Sequence, residues 1–369
     1  MKIAILTSSR ADFGIYLPLA TQLENDPFFN LEIIAFGTHL SHNHGYTISE
    51  IEKYGFNTIH QIKTIPQSDS PESISQSMGK TMVEFAQFWA NNTYDLIFCL
   101  GDRYEMFAAV SAGTPFNLNI AHLHGGETTL GAIDNAYRHS LSLFASKLFV
   151  STEAYKARAK QIVETHVQVY NVGALSVDNL STIDYLSKDE INNRFNIDLN
   201  RPTILSTFHP ETVNLEGNKT YIKELIEAFK QLQSKYQILI TLPNTDPMGQ
   251  MIRTHLLDYG KQNSEVIIVE SLGMLGYLST MKHCAFLLGN TSSGFVEATY
   301  FPKYVVNLGN RQEGRLETEN IKTVPIKTSQ ILEMVEVIEE SEPLRNLNVY
   351  GNGNTAETII NILKEDYEK

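Results

Sequence analysis

The strongest constraint on the fold is the regular alternation of short apolar runs with amphipathic stretches. Short continuous apolar runs are typical of strands buried in a parallel sheet, and hydrophobic residues repeated every three or four positions are typical of helices. In the first part of the chain, the runs predicted as strands lie at residues 2–8, 31–36, 95–100, 119–122, 147–151 and 167–170. Strands that alternate with helices form a parallel sheet with helices on both faces, so we predict a doubly wound α/β domain.

A second series of the same kind begins after a polar, helix-rich segment at residues 178–202, which we interpret as the connection between domains. Its strands are predicted at residues 203–206, 237–241, 266–269, 285–288 and 304–307, and acidic amphipathic helices follow at residues 329–339 and 355–367. A chain of 369 residues can bury a core in each of two domains. We therefore predict one domain over residues 1–175 and a second over residues 176–353, with the ligand in a cleft at the carboxyl ends of both sheets.

Composition excludes several classes of function. The formal net charge is −13 and no polybasic cluster is present, which argues against nucleic acid or an anionic membrane as a partner. No run approaches the roughly 20 apolar residues of a membrane span, and the N-terminus lacks the layout of a signal peptide, so the expected compartment is the cytoplasm. Cys99 and Cys284 each lie in an apolar run, which predicts buried free thiols.

The segment at residues 121–140, AHLHGGETTLGAIDNAYRHS, carries three histidines, two carboxylates and an arginine in a loop broken by glycines. Packing alone does not require so many ionisable groups, and loops after strands carry chemistry in open α/β sheets. The pair His122 and His124, like the cluster His39, His42 and His44, could suggest a metal site. Neither has the spacing of a known metal motif, so we expect no metal and expect the histidines of the segment near a sugar or phosphate.

Three further residues of the first domain are candidates for contact with a ligand. Asp102 and Arg103 lie just beyond a predicted strand, where a carboxylate can act as a base or bind sugar hydroxyls, although Asp102 could equally be a helix N-cap. Arg10, in the loop after the first strand, could supply a positive charge to an anionic ligand.

In the second domain, the segment GNTSSGFVEA at residues 289–298 follows an apolar strand and is predicted to open a helix. Its hydroxyls and free amides suit a diphosphate, and Glu297, one turn inside, could meet a ribose hydroxyl. A serine N-cap on a core helix is the competing interpretation. The chain has no GxGxxG or P-loop motif. The candidate contacts here are Ser292, Ser293, Gly294 and Glu297.

His209 is placed after the first strand of the second series and before Pro210, which favours an extended or turn conformation at the histidine. A histidine that faces a phosphate can donate a hydrogen bond or protonate a leaving oxygen, although a lone histidine is more often structural. Arg311 and Arg315 lie in a polar loop that could also be a solvated turn. Asn244 and Ser271 complete the predicted binding set.

Taken together, these motifs resemble those of the hydrolysing UDP-N-acetylglucosamine 2-epimerases, in the branch that serves sialic acid synthesis. The resemblance extends nearly end to end and rests on residues 8–14, 37–52, 101–105, 122–139, 208–212 and 289–298. It implies a GT-B fold of two Rossmann-like domains with the active site in the cleft between them, and a final helix at residues 354–369 that packs back on the first domain. It also implies a UDP-sugar substrate, no cofactor, and a homodimer or homotetramer.

The reaction implied by the resemblance is anti elimination of UDP to 2-acetamidoglucal, followed by addition of water to release N-acetylmannosamine, without a metal as an essential catalyst. Asp102, Glu127 and Asp134 match the catalytic carboxylates of the family, and His209 matches its catalytic histidine. The family's nucleotide contacts match Arg10, Ser292, Ser293 and Glu297. Nonhydrolysing relatives have a glutamate that aligns with His124, so either His124 or Glu127 takes that place here.

Three alternatives remain at this point. The first is a hydrolysing 2-epimerase of UDP-2,4-diacetamido-2,4,6-trideoxyglucose for legionaminic acid synthesis, since one amide in place of a hydroxyl changes few pocket contacts. A GT-B glycosyltransferase is the second, although it would not need three carboxylates for proton transfer at C2. The third is a sugar-nucleotide-binding protein without turnover, which the number of ionisable groups in one segment disfavours.

Overall fold

The computed structural model describes residues 1–42, 46–64, 70–128, 130, 133–211, 215–243, 249–263, 265–345 and 347–368. The chain divides into two compact units. Unit 1 comprises Met1–Glu127, Ile133–Ser181 and Tyr350–Lys369, and unit 2 comprises Thr128–Ala132 and Thr182–Val349. Each unit is built on one parallel sheet.

Unit 1 contains a sheet of seven parallel strands in the order β3-β2-β1-β4-β5-β6-β7. The strands are β1 (Lys2–Thr7), β2 (Asn30–Phe36), β3 (Ile59–Ile62), β4 (Leu96–Leu100), β5 (Ile120–Leu123), β6 (Lys147–Val150) and β7 (Gln168–Asn171). The helices are α1 (Arg10–Asn25), α2 (Ile48–Glu52), α3 (Pro71–Asn91), α4 (Tyr104–Ser111), α5 (Asp134–Phe144), α6 (Glu153–Ile162), α7 (Leu175–Thr182) and a C-terminal helix (Thr355–Tyr367).

The C-terminal helix is part of the core of unit 1. Ala356, Ile359 and Leu363 on its inner face are buried with Tyr16 and Leu19 of α1. The Asp178 carboxylate accepts hydrogen bonds from the backbone amides of residues 355 and 356, at 2.9 and 2.7 Å. These two bonds satisfy amides that have no partner within the helix, so Asp178 fixes the start of the helix against α7.

Unit 2 contains six parallel strands in the order β10-β9-β8-β11-β12-β13. The strands are β8 (Thr203–Thr207), β9 (Gln237–Thr241), β10 (Val266–Val269), β11 (Phe286–Gly289), β12 (Val305–Leu308) and β13 (Ile321–Val324). The helices are α8 (Lys188–Phe195), α9 (Asn218–Leu232), α10 (Gly249–Lys261), α11 (Gly273–His283), α12 (Glu297–Tyr300) and α13 (Thr328–Glu340).

Successive residues of the unit 2 strands pack into two different cores. Ile204 and Ile238 belong to one apolar cluster, whereas Leu205 and Leu239 belong to a cluster on the other face of the sheet. Because side chains alternate along a strand, a sheet covered on both faces needs continuous apolar runs. The predicted doubly wound α/β class is confirmed.

Two strands, β3 and β13, were not predicted from the sequence, and both lie at an edge of their sheet. The two cysteines are buried free thiols, as predicted. In the described part of the chain, no helix is both long enough and apolar enough to cross a membrane.

Candidate active site

Arg138 of α5 is the centre of a buried polar cluster in unit 1. Its guanidinium donates to Asp102 Oδ2 through Nη2, and Nη1 lies 3.5 Å from Glu127 Oε2 and 3.1 Å from the backbone oxygen of His124. The structure thus brings Asp102 and Glu127, predicted as catalytic, to one side chain that the sequence analysis did not assign. The one available signal was spacing, because Arg138 lies one helical turn after Asp134 and on the same face of the helix.

Asp102 is not a helix N-cap, so that interpretation is wrong. Helix α4 has Arg103 at its N-cap position without any side-chain cap bond. The Arg103 guanidinium instead binds the buried Glu105 carboxylate, with Nε–Oε2 at 3.2 Å and Nη2–Oε1 at 2.7 Å. A role of Arg103 in substrate binding stays a prediction.

Glu127 and His124 form a hydrogen-bonded pair. His124 Nδ1 lies 2.7 Å from Glu127 Oε1, and the Ser151 hydroxyl donates to the same oxygen at 3.2 Å. The backbone of His124 is left-handed, with φ of 65°. Non-glycine residues rarely adopt this conformation, and strained residues of this kind cluster at functional sites, where the surroundings hold them in place. Here the bond from Arg138 to the His124 carbonyl contributes to that restraint.

Asp134 is the first residue of α5 and is partly buried. Burial, followed by the negative charge of Asp102, raises the pKa of the Asp134 carboxyl above its usual value. Both effects disfavour the ionised form, so Asp134 holds a proton more readily than an exposed aspartate does.

Two of the histidines considered as sugar neighbours or metal ligands are structural. His122 is fully buried; its Nε2 donates to the Gly101 oxygen at 2.9 Å, which leaves Nδ1 to accept from the Ser142 hydroxyl at 3.0 Å. Burial lowers the pKa of His122 to about 3. The hydrogen bond to the Gly101 oxygen opposes this shift, and the positive charge of Arg138 adds to it. Both ring nitrogens of His122 are therefore engaged within the protein and are not available for direct contact with a sugar or phosphate.

His39 is likewise enclosed, between the Thr7 hydroxyl at 2.9 Å and the Thr47 hydroxyl at 2.8 Å. His42 stacks on Tyr46 with ring centroids 4.3 Å apart. The third histidine of that cluster, His44, lies outside the described residues. Across the described ranges, no group of three histidine, cysteine or acidic side chains is arranged to hold a metal ion.

The loop between β1 and α1 is held from within by Asp12. Its carboxylate accepts from the Ser8 amide at 2.7 Å, from the Ser8 hydroxyl at 2.9 Å and from the Ser9 hydroxyl. Burial raises the pKa of Asp12 to about 6. The adjacent Arg10 side chain is 67% exposed and lies 3.3 Å from Glu50. Arg10, the first residue of α1, thus follows a loop that Asp12 fixes, and sequence reasoning missed Asp12.

In unit 2, Asn290 joins the loops that follow the neighbouring strands β8 and β11. Its Oδ1 accepts from the His209 amide at 2.7 Å, and its Nδ2 donates to the His209 oxygen at 2.8 Å. The His209 side chain is buried, and Nδ1 has no partner among the described residues. Burial and the charge of Arg311 lower the pKa of His209 to about 4, so the ring is neutral at pH 7.

The loop after β12 packs on the same asparagine. Gln312 Nε2 donates to the backbone oxygen of Asn290 at 2.9 Å, and Arg311 Nη1 lies 3.5 Å from the same backbone oxygen. Gln312 is almost completely buried, so the loop is more than a solvated turn. Leu130, which belongs to unit 2, contacts this loop through its amide, which donates to the Glu313 backbone oxygen at 2.9 Å. Arg315, the other predicted cation, lies two residues further on.

The serine-rich segment differs from the expected helix start. A short 3₁₀ turn (Ser292–Gly294) follows β11, and Glu297 begins the four-residue helix α12 and is not one turn inside a longer one. Neither element has a side-chain cap, so the serine N-cap interpretation is also wrong. Glycine at 294 weakens helix formation, and Pro302 disfavours helical geometry at the residue before it.

Ser293 is instead held by a hydroxyl group. Its Oγ lies 2.7 Å from the Tyr277 hydroxyl and 3.3 Å from Thr291 Oγ1. Ser271, a further predicted contact, accepts from the Gly273 amide at 3.0 Å and is exposed. Asn244 lies outside the described residues. The binding roles of these residues stay predictions.

The chain is similar to proteins of a known family. The chain matches the UDP-N-acetylglucosamine 2-epimerase family over residues 21–364. It is 35% identical to a GDP/UDP-N,N'-diacetylbacillosamine 2-epimerase (hydrolyzing) of Campylobacter jejuni, covering 87% of this chain and 83% of that protein. It is 30% identical to the UDP-N,N'-diacetylbacillosamine 2-epimerase (hydrolyzing) of Legionella pneumophila, covering 98% and 95%. Polysialic acid biosynthesis protein P7 of Escherichia coli is also 30% identical, covering 99% and 94%.

Among solved structures, UDP-GlcNAc 2-epimerase from Neisseria meningitidis bound to UDP-GlcNAc superimposes with a TM-score of 0.83 at 18% identity, covering 99% of this chain and 100% of that one. This likeness confirms the predicted GT-B class of fold, with two Rossmann-like α/β domains. From the extent of the family match and the identity to these relatives, the chain belongs to the UDP-N-acetylglucosamine 2-epimerase family, in its hydrolysing branch.

Proposed function

We propose that this chain hydrolyses a UDP-2-acetamido sugar to UDP and the free sugar with inverted configuration at C2. The observation that carries the proposal is the cluster around Arg138, which gathers Asp102 and Glu127 beside Asp134. Loss of UDP from C1 leaves positive charge on the sugar ring, and removal of the C2 proton completes 2-acetamidoglucal. Water then adds a hydroxyl to C1 and a proton to C2 on the other face. Carboxylates suit both tasks, since they stabilise the cation and transfer protons.

The loops of unit 2 supply the groups that a departing diphosphate needs. His209 and Arg311 both contact Asn290, and the serine turn begins two residues after it. Arg311 carries the positive charge, and the neutral imidazole and hydroxyls donate hydrogen bonds to phosphate oxygens. We assign Ser292, Ser293, Arg311 and Arg315 to binding of the diphosphate and Glu297 to binding of the ribose. Arg10 supplies an additional positive charge.

The sugar that we propose is N,N'-diacetylbacillosamine, carried on UDP. The relative at 35% identity and one of those at 30% are named for that substrate. UDP-N-acetylglucosamine, with N-acetylmannosamine as product on the route to sialic acid, is the second candidate. It is supported by the 30% identity to the polysialic acid biosynthesis protein over nearly the whole chain.

The test is incubation of the purified chain with UDP-N,N'-diacetylbacillosamine, its GDP counterpart or UDP-N-acetylglucosamine in deuterated water, followed by NMR of the products. The proposal expects free nucleoside diphosphate, a free 2-epimeric sugar and one solvent deuterium at C2. The preferred substrate should show the largest kcat/KM. A sugar transferred or released with its C2 proton retained would indicate a glycosyltransferase or simple hydrolase and would overturn the proposal.

Asp134→Asn removes a candidate catalytic carboxylate. Asp189→Asn makes the same substitution at an exposed position of α8 and is the control. Asp134→Asn should lower kcat by about 10²-fold or more, as expected for loss of an acid or base, and the control should match the wild type. Release of an intact UDP-sugar epimer would contradict the hydrolysing assignment. Binding of UDP-sugar with no turnover by the wild type would contradict an enzymatic function altogether.

A further inference from the structure

We propose that His124 removes the C2 proton through Nε2, and that Glu127 is a positioning residue that orients His124 and does not itself contact the sugar. This inference rests on the proposed function. From the sequence, either His124 or Glu127 could take the place of one catalytic glutamate, and we now give the two residues different roles. Both residues belong to the HLHGGE segment at residues 122–127.

The Glu127 carboxylate is already surrounded by donors from the protein. Oε1 faces His124 Nδ1 at 2.7 Å and accepts from the Ser151 hydroxyl at 3.2 Å, and Oε2 lies 3.5 Å from Arg138 Nη1. Only 8% of the side chain is exposed. A carboxylate with an ion pair and two further donors is a poor base, because protonation would weaken all three interactions. Glu127 is therefore placed to hold another group.

His124 has the complementary geometry. A carboxylate at Nδ1 requires the proton on that nitrogen, so the lone pair of the neutral ring is on Nε2. That atom makes no hydrogen bond with any residue that the structure describes, and the side chain is 16% exposed, twice the fraction of Glu127. His124 directly follows the end of β5, and its left-handed backbone departs from the extended geometry of the strand. A carboxylate that orients a histidine in this way is a recurring device for a general base.

His124 and Asp134 transfer protons in different half-reactions. In the elimination, the C2–H electron pair forms the C1=C2 bond, the C1–O pair leaves with UDP, and the proton moves to Nε2, where the imidazolium is paired with Glu127. In the hydration, Asp134 gives its proton to the opposite face of C2, and water adds to C1 and returns a proton to Asp134. His124 then loses its proton to solvent. The net reaction consumes one water and releases UDP and one proton.

The tendency of Asp134 to hold a proton supports this division, because a base and an acid are needed on opposite faces of C2. Inversion at C2 requires that the proton leave on one face and return on the other. A single group cannot reach both faces without reorientation of the sugar.

Half-reaction assays test the assignment. His124→Gln and Glu127→Gln should lower the rate of UDP release from the sugar nucleotide by about 10²- to 10⁴-fold with little change in KM, because a base and its orientation are lost. Both variants should still hydrate the matching synthetic 2-acetamidoglucal supplied with UDP. Asp134→Asn should show the reverse pattern, releasing the glucal and failing to hydrate it. Exposed His166→Gln should behave like the wild type.

A second measurement separates positioning from folding. In ¹⁵N-histidine NMR, the wild type should show the Nδ1–H tautomer for His124, and Glu127→Gln should shift it toward Nε2–H. His124→Gln that releases UDP at the wild-type rate, or that loses both half-reactions, would overturn the inference. So would Glu127→Gln with an unchanged tautomer. If the wild type releases UDP from no sugar nucleotide, the proposed function fails instead, before any variant is compared.

Discussion

A single arginine explains how unit 1 can keep two carboxylates close together. Arg138 is buried, and its planar guanidinium reaches Asp102, Glu127 and a backbone oxygen at once. Lysine offers one compact charge and cannot reproduce this fork. Because the carboxylates are partly or fully withdrawn from water, each depends on the arginine for compensation of its charge.

Substitution of Arg138 should therefore be more damaging than substitution of a surface arginine. We expect Arg138→Met to lower the free energy of unfolding by about 3 kcal/mol, since it leaves buried carboxylates unpaired, and Arg138→Lys to lower it less. Arg253→Met is the control, because Arg253 pairs with an exposed glutamate and should cost at most about 1 kcal/mol. Urea denaturation measures all three. Equal midpoints for Arg138→Met and Arg253→Met would refute this account.

The two histidines of HLHGGE show where sequence reasoning on single residues stops. Motif and chemistry pointed to the segment, but they did not separate His122 from His124. The distinction depends on β5, which ends at Leu123, so His122 is inside the sheet and His124 lies beyond it. The ion pair of Asp102 with Arg138 joins residues 36 positions apart, and no local pattern encodes such a contact.

At the scale of elements, the central strands were predictable and the missed ones were edges. The central strand β4 has the sequence LIFCL and is buried along its whole length, so it appears as an unbroken apolar run. In contrast, β3 has the sequence IHQI and β13 has IKTV, each with partly exposed polar residues. An edge strand has a neighbour on one side only, which relaxes the demand for apolar residues and removes the signal.

Close approach of strands makes one glycine of unit 2 irreplaceable. A Cβ at Gly289, the last residue of β11, would lie 2.2 Å from the Thr207 backbone oxygen on β8. We expect Gly289→Ala to lower the free energy of unfolding by about 2–3 kcal/mol, because a backbone atom cannot rotate away. Gly79 is at an exposed position of α3, with open space where a Cβ would lie. Gly79→Ala should therefore raise the free energy of unfolding by about 0.5–1 kcal/mol. Chemical denaturation measures the free energy of unfolding of both variants. Equal values for Gly289→Ala and Gly79→Ala would show that the contact between β11 and β8 does not require glycine.

At the scale of the whole chain, unit 1 is assembled from distant parts of the sequence. Periodicity located the helix at residues 355–367 but could not indicate which sheet it covers. That choice depends on contacts such as the bonds from Asp178 to the first amides of the helix, across 177 and 178 positions. The segment at residues 128–132 presents the same difficulty, because it belongs to unit 2 although both flanking segments belong to unit 1.

Buried histidines in both units link the stability of the molecule to pH. Burial lowers the pKa of His39 to about 4, of His122 to about 3 and of His209 to about 4. The unfolded chain takes up protons on these residues near pH 6.5, whereas the folded chain does so only at lower pH. Their stabilising contribution is therefore complete above pH 6.5 and is lost as the pH falls toward 4. Asp12 acts oppositely between pH 4 and 6, because its pKa is raised to about 6.

The three histidines outweigh Asp12 and Asp134, whose pKa values are both raised, so we expect the thermal midpoint to fall as the pH is lowered from 6.5 to 4.5. Each histidine adds a slope of up to about 1.4 kcal/mol per pH unit to the free energy of unfolding. His39→Gln should make the pH dependence less steep by one such contribution, even though it destabilises the chain at pH 7. His166→Gln, at an exposed position, should leave the slope unchanged. Calorimetry of the three proteins across this range tests the argument, and a midpoint that stays constant or rises on acidification would show that the buried histidines do not control it.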